Sequence, residues 1–456
     1  MDPSQVRVHS DEKLSPKASL FYGFQSLLAC NLFLGPLVVI GVLRYDVAMA
    51  AAFIGMTFFA CGIATIIQSG FFLKMQVIQG MSFACFGAIF AIVLGADFPT
   101  LIGALLVSSV FIILLGATGI FSKFVRIFIP GMIAGTVITV VGVSLMPVTF
   151  TSILNIEGNV GVNFFLAGLT LALLIIFMRM GAMPNKLGKF MGVGGIIYAI
   201  VIGTLVASFF GVVDLSPVAE AKWFAIPKVF PLGLPKFELN AILVFLVIMV
   251  ISMIESVGTW FTITELSGDE VDDKRMNRGV MGEGIGVFVG SFFGGLPISS
   301  YASNTGVLVM TKVFSRYAAI AAGIIAIVLA FCPKLMFLIA IVPPQVVWGV
   351  YAMVTIQVLL SGINSVRKYP ATERNNIVIG AAIFATIGAG LLPAALVNAM
   401  PGIVGYLFSA PIAIGCIVVV VMNLILPAKA SDRTAQENEL IKLRKERKAQ
   451  KAAATE

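Results

Sequence analysis

Apolar stretches of membrane-spanning length, separated by short polar turns, recur along nearly the whole chain. A run of about 18 or more apolar residues reads as a transmembrane helix. On that rule spans fall at 18–42, 46–68, 74–95, 98–118, 122–146, 160–178 and 186–211, and again at 238–264, 276–295, 297–314, 317–334, 336–361, 373–393 and 402–427. The pattern predicts an all-α polytopic membrane protein with 14 transmembrane segments. The third and tenth are too polar and glycine-rich to be regular helices throughout, so both are expected to be broken. The first 17 residues are polar and predict no cleavable signal peptide. Residues 428–456 are polar too, and DRTAQENELIKLRKERKAQ predicts a charged helix near anionic lipid.

Composition narrows the class. Of 456 residues, 59% are hydrophobic and 11% charged, against about 25% charged in soluble domains. The net charge of +8 suits basic cytoplasmic loops and implies no nucleic-acid partner. With the N-terminus inside, the inner loops hold 14 Lys and Arg residues and the outer loops 5. That asymmetry predicts both termini on the cytoplasmic side of the plasma membrane. All five cysteines lie in apolar spans and read as small hydrophobes. No metal-ligand cluster, nucleophile motif or phosphate-cradling loop stands out, so neither an enzyme nor a bound cofactor is expected.

Against this background a few polar groups are out of place. VFLVIMVISMIESVGTW, residues 244–260, carries Glu255 inside an apolar run, and MGEGIG carries Glu283. A charge at the bilayer centre costs about 2.5–3.5 kcal/mol on insertion scales. Such a residue faces protein, water or a ligand. The plainer alternative is a glutamate that only locks helix packing, and glycines beside Glu283 suit that use. A carboxyl that is neutral on loading and anionic after release suits a proton-coupled carrier.

Two further stretches match each other. GGLPISSYASNTGVLVMTK (294–312) puts polar residues ahead of an apolar half-helix, and so does KMQVIQGMSFACFGAIF (74–90). They lie in the tenth and third spans, seven apart, so the two halves of the chain run in opposite orientation. Paired broken segments point to a transporter site at the midplane of an inverted repeat. Half-helix N-termini meeting there present free N–H groups. The residues alone thus predict a carrier for a small ligand rich in N–H donors and bearing acceptor oxygens.

SNTGVLVMTK resembles the signature of the nucleobase–ascorbate transporter family, the uracil/xanthine permeases. That signature reads Gln, Glu or Pro, then Asn-x-Gly-x-x-x-x-Thr, then Arg, Lys or Gly; Asn304, Gly306, Thr311 and Lys312 match. GFQSLLA (23–29), QGMSFA (79–84), IPGMIAGTVITVVGVSLMP (129–147), IESVG (254–258), RGVMGEGIG (278–286) and SAPIAIGCIVVVVMNLIL (409–426) are similar to other family elements.

The resemblance implies two inverted seven-span repeats, an elevator-like mechanism and a homodimer. A core would comprise 18–118 and 238–334, and a gate 119–237 and 335–427, flanked by cytoplasmic tails 1–17 and 428–456. It also implies that Glu255 holds the N–H edge of a nucleobase and that Phe83 packs on its ring beside Ala84. Ala302 and Ser303 would hold it from below, with Asn304 organising the site and Gly258 and Thr259 lining it. Glu283 would support coupling to H+, while Gln25, Ser26, Gly306, Thr311 and Lys312 complete the signature elements.

Three positions depart from the family pattern. Ser303 stands where Gln or Glu is usual, Ser26 replaces a histidine, and Thr259 replaces an Asp or His. They leave open which base is carried, a xanthine- or urate-type purine or uracil. Rival readings are Na+ in place of H+ as the coupling ion, and a sulfate-type anion carrier of the same fold. An acidic site argues against the anion.

Overall fold

The computed structural model describes residues 6–128, 131–181, 183 and 185–434. The charged helix expected near the C-terminus lies outside them. In chain order the elements are α1 (Pro16–Cys30), α2 (Leu34–Leu43), α3 (Val47–Ile67), β1 (Gln79–Met81), α4 (Phe86–Gly95), α5 (Phe98–Ala117), α6 (Ile120–Phe128), α7 (Gly131–Leu154), α8 (Val160–Gly181), α9 (Lys186–Ser208) and α10 (Ser216–Glu220). The second half has α11 (Leu239–Ser267), α12 (Asp273–Phe292), β2 (Ile298–Ser300), α13 (Asn304–Thr311), α14 (Arg316–Ala330), α15 (Pro333–Ala340), α16 (Pro344–Val366), α17 (Glu373–Leu391), α18 (Ala394–Asn398), α19 (Gly402–Ser409) and α20 (Pro411–Ile425).

Local chemistry sets these boundaries. Asp46, Asp97 and Asp272 cap the N-termini of α3, α5 and α12, each carboxylate accepting a backbone N–H of the first turn. Among the described residues eight helices are long and apolar enough to cross a membrane, or nine if α14 and α15, bent by 89°, count as one span. The other predicted spans contain shorter or more polar helices. Arg275, Arg278 and Glu283 fall within α12, for example.

Two predicted spans are divided differently. The 122–146 stretch separates into α6 and α7, because α6 is amphipathic: Phe121 and Val125 are buried while Lys123 and Arg126 face outward, Arg126 pairing with Asp273. The 336–361 stretch divides at Pro343–Pro344 into α15 and α16, since proline opens a helix but cannot continue one.

The third and tenth predicted spans each hold a three-residue strand and then a helix. The strands pair antiparallel, Gln79 opposite Ser300 and Met81 opposite Ile298. Gly80 is required here: a Cβ on it would lie 2.4 Å from the Tyr301 ring. Around this pair α12 packs on α3 and α5, and α14 packs on α1 and α3. A second group forms as α7 packs on α16, α17 and α20, and α8 on α9 and α16.

The N-terminal segment is fastened to one end of the first group. Val8 bridges to Val313, the Phe314 N–H donates to Val8 O at 2.8 Å, and Ser10 bonds Asp269.

Candidate substrate site

Glu255 lies midway along α11 and is partly buried. Ser82, the residue after β1, donates its hydroxyl to Glu255 Oε2 at 3.1 Å. Ser82 is itself fixed, its N–H donating to Pro297 O at 2.8 Å. Phe83 follows with its ring stacked on Tyr301, centroids 5.7 Å apart and planes within 15°. Ala84 is buried beside it. One short motif thus supplies a strand, a hydroxyl and a ring in succession.

The other strand ends on Ser300, which makes five hydrogen bonds to side chains. Its N–H donates to Ser256 Oγ at 3.0 Å, and its carbonyl accepts from Thr259 Oγ1 at 3.3 Å. Its hydroxyl accepts from Trp260 Nε1 at 2.8 Å and Gln79 Nε2 at 2.9 Å, and donates to Glu283 Oε1 at 2.6 Å. Ser256, Thr259 and Trp260 share a helix face because they are three and four residues apart. Ser300 therefore ties α11, β1 and α12 together.

Glu283 is 1% exposed and accepts from Gln79 as well, at 3.2 Å; its Oε2 has no partner among the described residues. Neither Glu255 nor Glu283 forms an ion pair with a described Lys or Arg.

The two helix starts add donors. Among the described residues the N–H groups of Phe83, Ala84, Ala302 and Ser303 find no acceptor. Unpaired N–H groups at a helix start carry the positive end of the helix. A half-buried carboxyl, a stacked ring and these donors suit a flat ligand bearing both N–H and C=O groups.

The remaining expected residues divide by place. Ala302 and Ser303 are exposed where β2 gives way to α13. Asn304 is fully buried and donates to Gln76 O at 3.0 Å, which braces the β1 approach. Ser26 accepts from Gln76 Nε2 at 3.2 Å, and Gln25 precedes it on α1. Gly258 faces α7, where a Cβ would meet Ile138 at 3.4 Å. Gly306 is exposed. Thr311 bonds Val307 O within its own helix, and Lys312 closes α13 in a left-handed conformation. These last two lie about 12 Å from the start of α13, at 1.5 Å rise per residue.

Sequence reasoning gave no separate role to Ser82, Ser256, Trp260, Gln79 or Ser300, although Gln79 and Ser82 lie in QGMSFA, Ser256 and Trp260 in the 244–260 run, and Ser300 in the polar stretch 294–312. Their partnership carries no signal until α11 is placed beside β2.

The fold is that of a polytopic helical membrane protein. It is similar to the transmembrane domain of a cyanobacterium bicarbonate transporter, BicA, with TM-score 0.63 and 17% identity over 84% of this chain and 98% of that one. That likeness is one of fold alone.

A permease family model, Xan_ur_permease, matches residues 17–395, and the chain belongs to this family, the one its motifs resemble. A putative purine permease of Clostridium perfringens, CPE0397, is 30% identical over 91% of this chain and 92% of its own length. The uric acid permease PucK of Bacillus subtilis is 26% identical over 90% of this chain and 96% of its own length.

Proposed function

We propose that this protein is a secondary active transporter that imports a nucleobase across the plasma membrane by proton symport. The observation that carries the reading is the grouping of Glu255, Ser82 and the Phe83–Tyr301 stack with four unpaired N–H groups. Glu255 grips the N–H edge of the base and exchanges the coupled proton. Phe83 covers the ring. The N–H groups of Ala302 and Ser303 hold a carbonyl oxygen. The relatives' names favour a purine of the xanthine or urate type over uracil. The similarity to BicA does not transfer its ligand, and two carboxylates without a cationic partner disfavour a small inorganic anion of the sulfate type.

The mechanism we propose is elevator-like, in a chain of two inverted seven-span repeats with broken third and tenth spans. Residues 18–118 and 238–334 form the core, and 119–237 and 335–427 form the gate through which two copies associate. Packing supports this division, since α3, α5, α12 and α14 group together while α7, α8, α16, α17 and α20 form a second group.

Uptake of labelled xanthine, urate and uracil into proteoliposomes under an imposed pH gradient tests the reading. Gradient-driven accumulation of one base is expected in the wild type and is expected to vanish in Glu255→Gln, which cannot change charge. Concentrative uptake unchanged in that variant would remove Glu255 from coupling. A gradient of Na+ that drives uptake where protons do not would replace the coupling ion.

A further inference from the structure

Residues 221–237 link α10 to α11 and fall in none of the predicted spans. They run without helix or strand, yet their backbone is fastened at four points. The Lys334 N–H donates to Lys222 O at 3.1 Å, and the Ala225 N–H to Phe331 O at 3.1 Å. The Phe230 N–H donates to Phe292 O at 2.7 Å, and the Lys236 N–H to Pro99 O at 3.0 Å. Phe331 follows α14, Phe292 closes α12 and Pro99 lies in the first turn of α5. The segment therefore crosses the end of the first group that lies opposite Ser10, whose partners Asp269 and Arg316 stand where α12 and α14 begin.

The outward side of this segment is apolar. Trp223, Phe224 and Ile226 are 73%, 64% and 72% exposed. Water does not suit so much contiguous apolar surface. Hydrocarbon does not suit the backbone, because irregular chain facing lipid is not tolerated there. The headgroup layer between them satisfies both, and tryptophan is enriched in it. The neighbouring helix marks the same level. α15 turns 89° from α14 and so runs along the membrane surface, with Met336 buried and Leu338 exposed. Two ring contacts hold the segment against it: Lys334 Nζ lies 4.8 Å over the Trp223 ring, and Phe224 stacks on Phe331 at 5.7 Å with planes 9° apart. Lys222 and Lys228 flank the apolar run and form no ion pair with a described Asp or Glu. A lysine stem lies along apolar surface while its ammonium reaches the headgroups.

We propose that residues 222–229 are a lipid-docking surface, which seats this end of the first group in the headgroup layer and takes anionic headgroups on Lys222 and Lys228. Basic groups at that level attract anionic lipid. A second copy fits less well, because the segment packs on the first group and the copies are proposed above to associate through the second. This surface is separate from base transport and does not depend on it.

Tryptophan fluorescence of the full chain in proteoliposomes tests this. The protein has three tryptophans, and Trp260 and Trp348 are fully buried. The difference between wild type and Trp223→Phe therefore reports Trp223. That signal is expected to be lost to lipid brominated near the headgroup and to survive aqueous acrylamide. The loss is expected to be greater in vesicles of phosphatidylcholine with phosphatidylglycerol than in phosphatidylcholine alone. Lys222→Gln with Lys228→Gln is expected to abolish that difference and to keep base binding at the wild-type level.

Quenching by acrylamide and not by brominated lipid would put the segment in water and overturn the docking surface. Protection from both quenchers, lost when the protein is diluted in lipid, would assign the surface to a second copy and overturn it equally. Quenching by brominated lipid that ignores phosphatidylglycerol would overturn the role given to the two lysines.

Discussion

Glu283 offers the sharpest test of what holds the site together. Its Oε1 accepts from Ser300 Oγ at 2.6 Å and Gln79 Nε2 at 3.2 Å, and its Oε2 has no partner among the described residues. Glu283→Gln keeps an oxygen for both donors. The Oε1 of Gln79, buried and unpartnered, offers an acceptor for the new N–H. Glu283→Leu removes the acceptor and strands a hydroxyl and an amide N–H. Each stranded group costs about 1–3 kcal/mol, so the leucine variant is expected to lose about 2–6 kcal/mol and the glutamine variant less than about 1. Against a total stability of about 5–15 kcal/mol that difference is large.

Thermal unfolding in detergent, followed by loss of the monodisperse species, measures it. Proteoliposome uptake of the folded glutamine variant then separates two roles. If Glu283 serves coupling, base binding survives and accumulation against a gradient is lost. If it serves only packing, both survive. Equal destabilisation by Gln and Leu would refute the claim that these hydrogen bonds hold the strand pair.

Other outcomes follow from close contacts and caps. Gly80→Ala would drive a methyl into the Tyr301 ring, which lies 2.4–2.6 Å from the added carbon. Base binding is expected to fall below detection, and Gly80→Ala with Tyr301→Leu is expected to regain part of it. Binding at wild-type affinity in the single variant would show that the stack is not rigid. Asp97, hydrogen-bonded by Lys236 and by the Thr100 hydroxyl and N–H, has its carboxyl held down to about 2. Because the folded value is lowered, its stabilisation is whole above about pH 4 and fades as pH falls toward 2. Thermal midpoints of wild type and Asp97→Asn should converge across that window. Asp97→Ala should lose about 1 kcal/mol at neutral pH with its helix cap.

The sequence revealed the membrane class, the two carboxylates and the two polar stretches because each violates an apolar background. Pairing of β1 with β2 was not legible. Three-residue strands are too short to show alternation, and their register depends on Gly80 admitting the Tyr301 ring. The boundary between α6 and α7 was hidden for another reason. Phe121, Phe124 and Val125 give an amphipathic surface helix the hydropathy of a span, and only Lys123 and Arg126 mark its polar face. Ser300 reads as one serine among several in ISSYASN. Its five hydrogen bonds exist only once α11, α12 and β1 converge on it.

On the proposed reading, these contacts also point to the departure from the family pattern that would govern substrate choice. Thr259 spends its hydroxyl on the carbonyls of Glu255 and Ser300, and Ser26 is fully buried under the Gln76 amide. Neither is left to face a ligand. Ser303 differs: it is exposed, it precedes α13 without forming a side-chain cap, and its φ of −60° admits any residue. Ser303→Gln therefore gives up only a weak hydroxyl–thiol contact with Cys30 and adds an amide beside the unpaired N–H groups of Ala302 and Ser303.

Its thermal midpoint is expected to match wild type. Its ratio of kcat/KM for xanthine over uracil is expected to shift at least tenfold, about 1.4 kcal/mol, because a new hydrogen-bonding group discriminates ring edges more sharply than a methylene does. A ratio within twofold of wild type would place Ser303 outside the contact and return the choice of base to Glu255 and the Phe83 ring. Competition uptake with paired labels in one preparation decides between them.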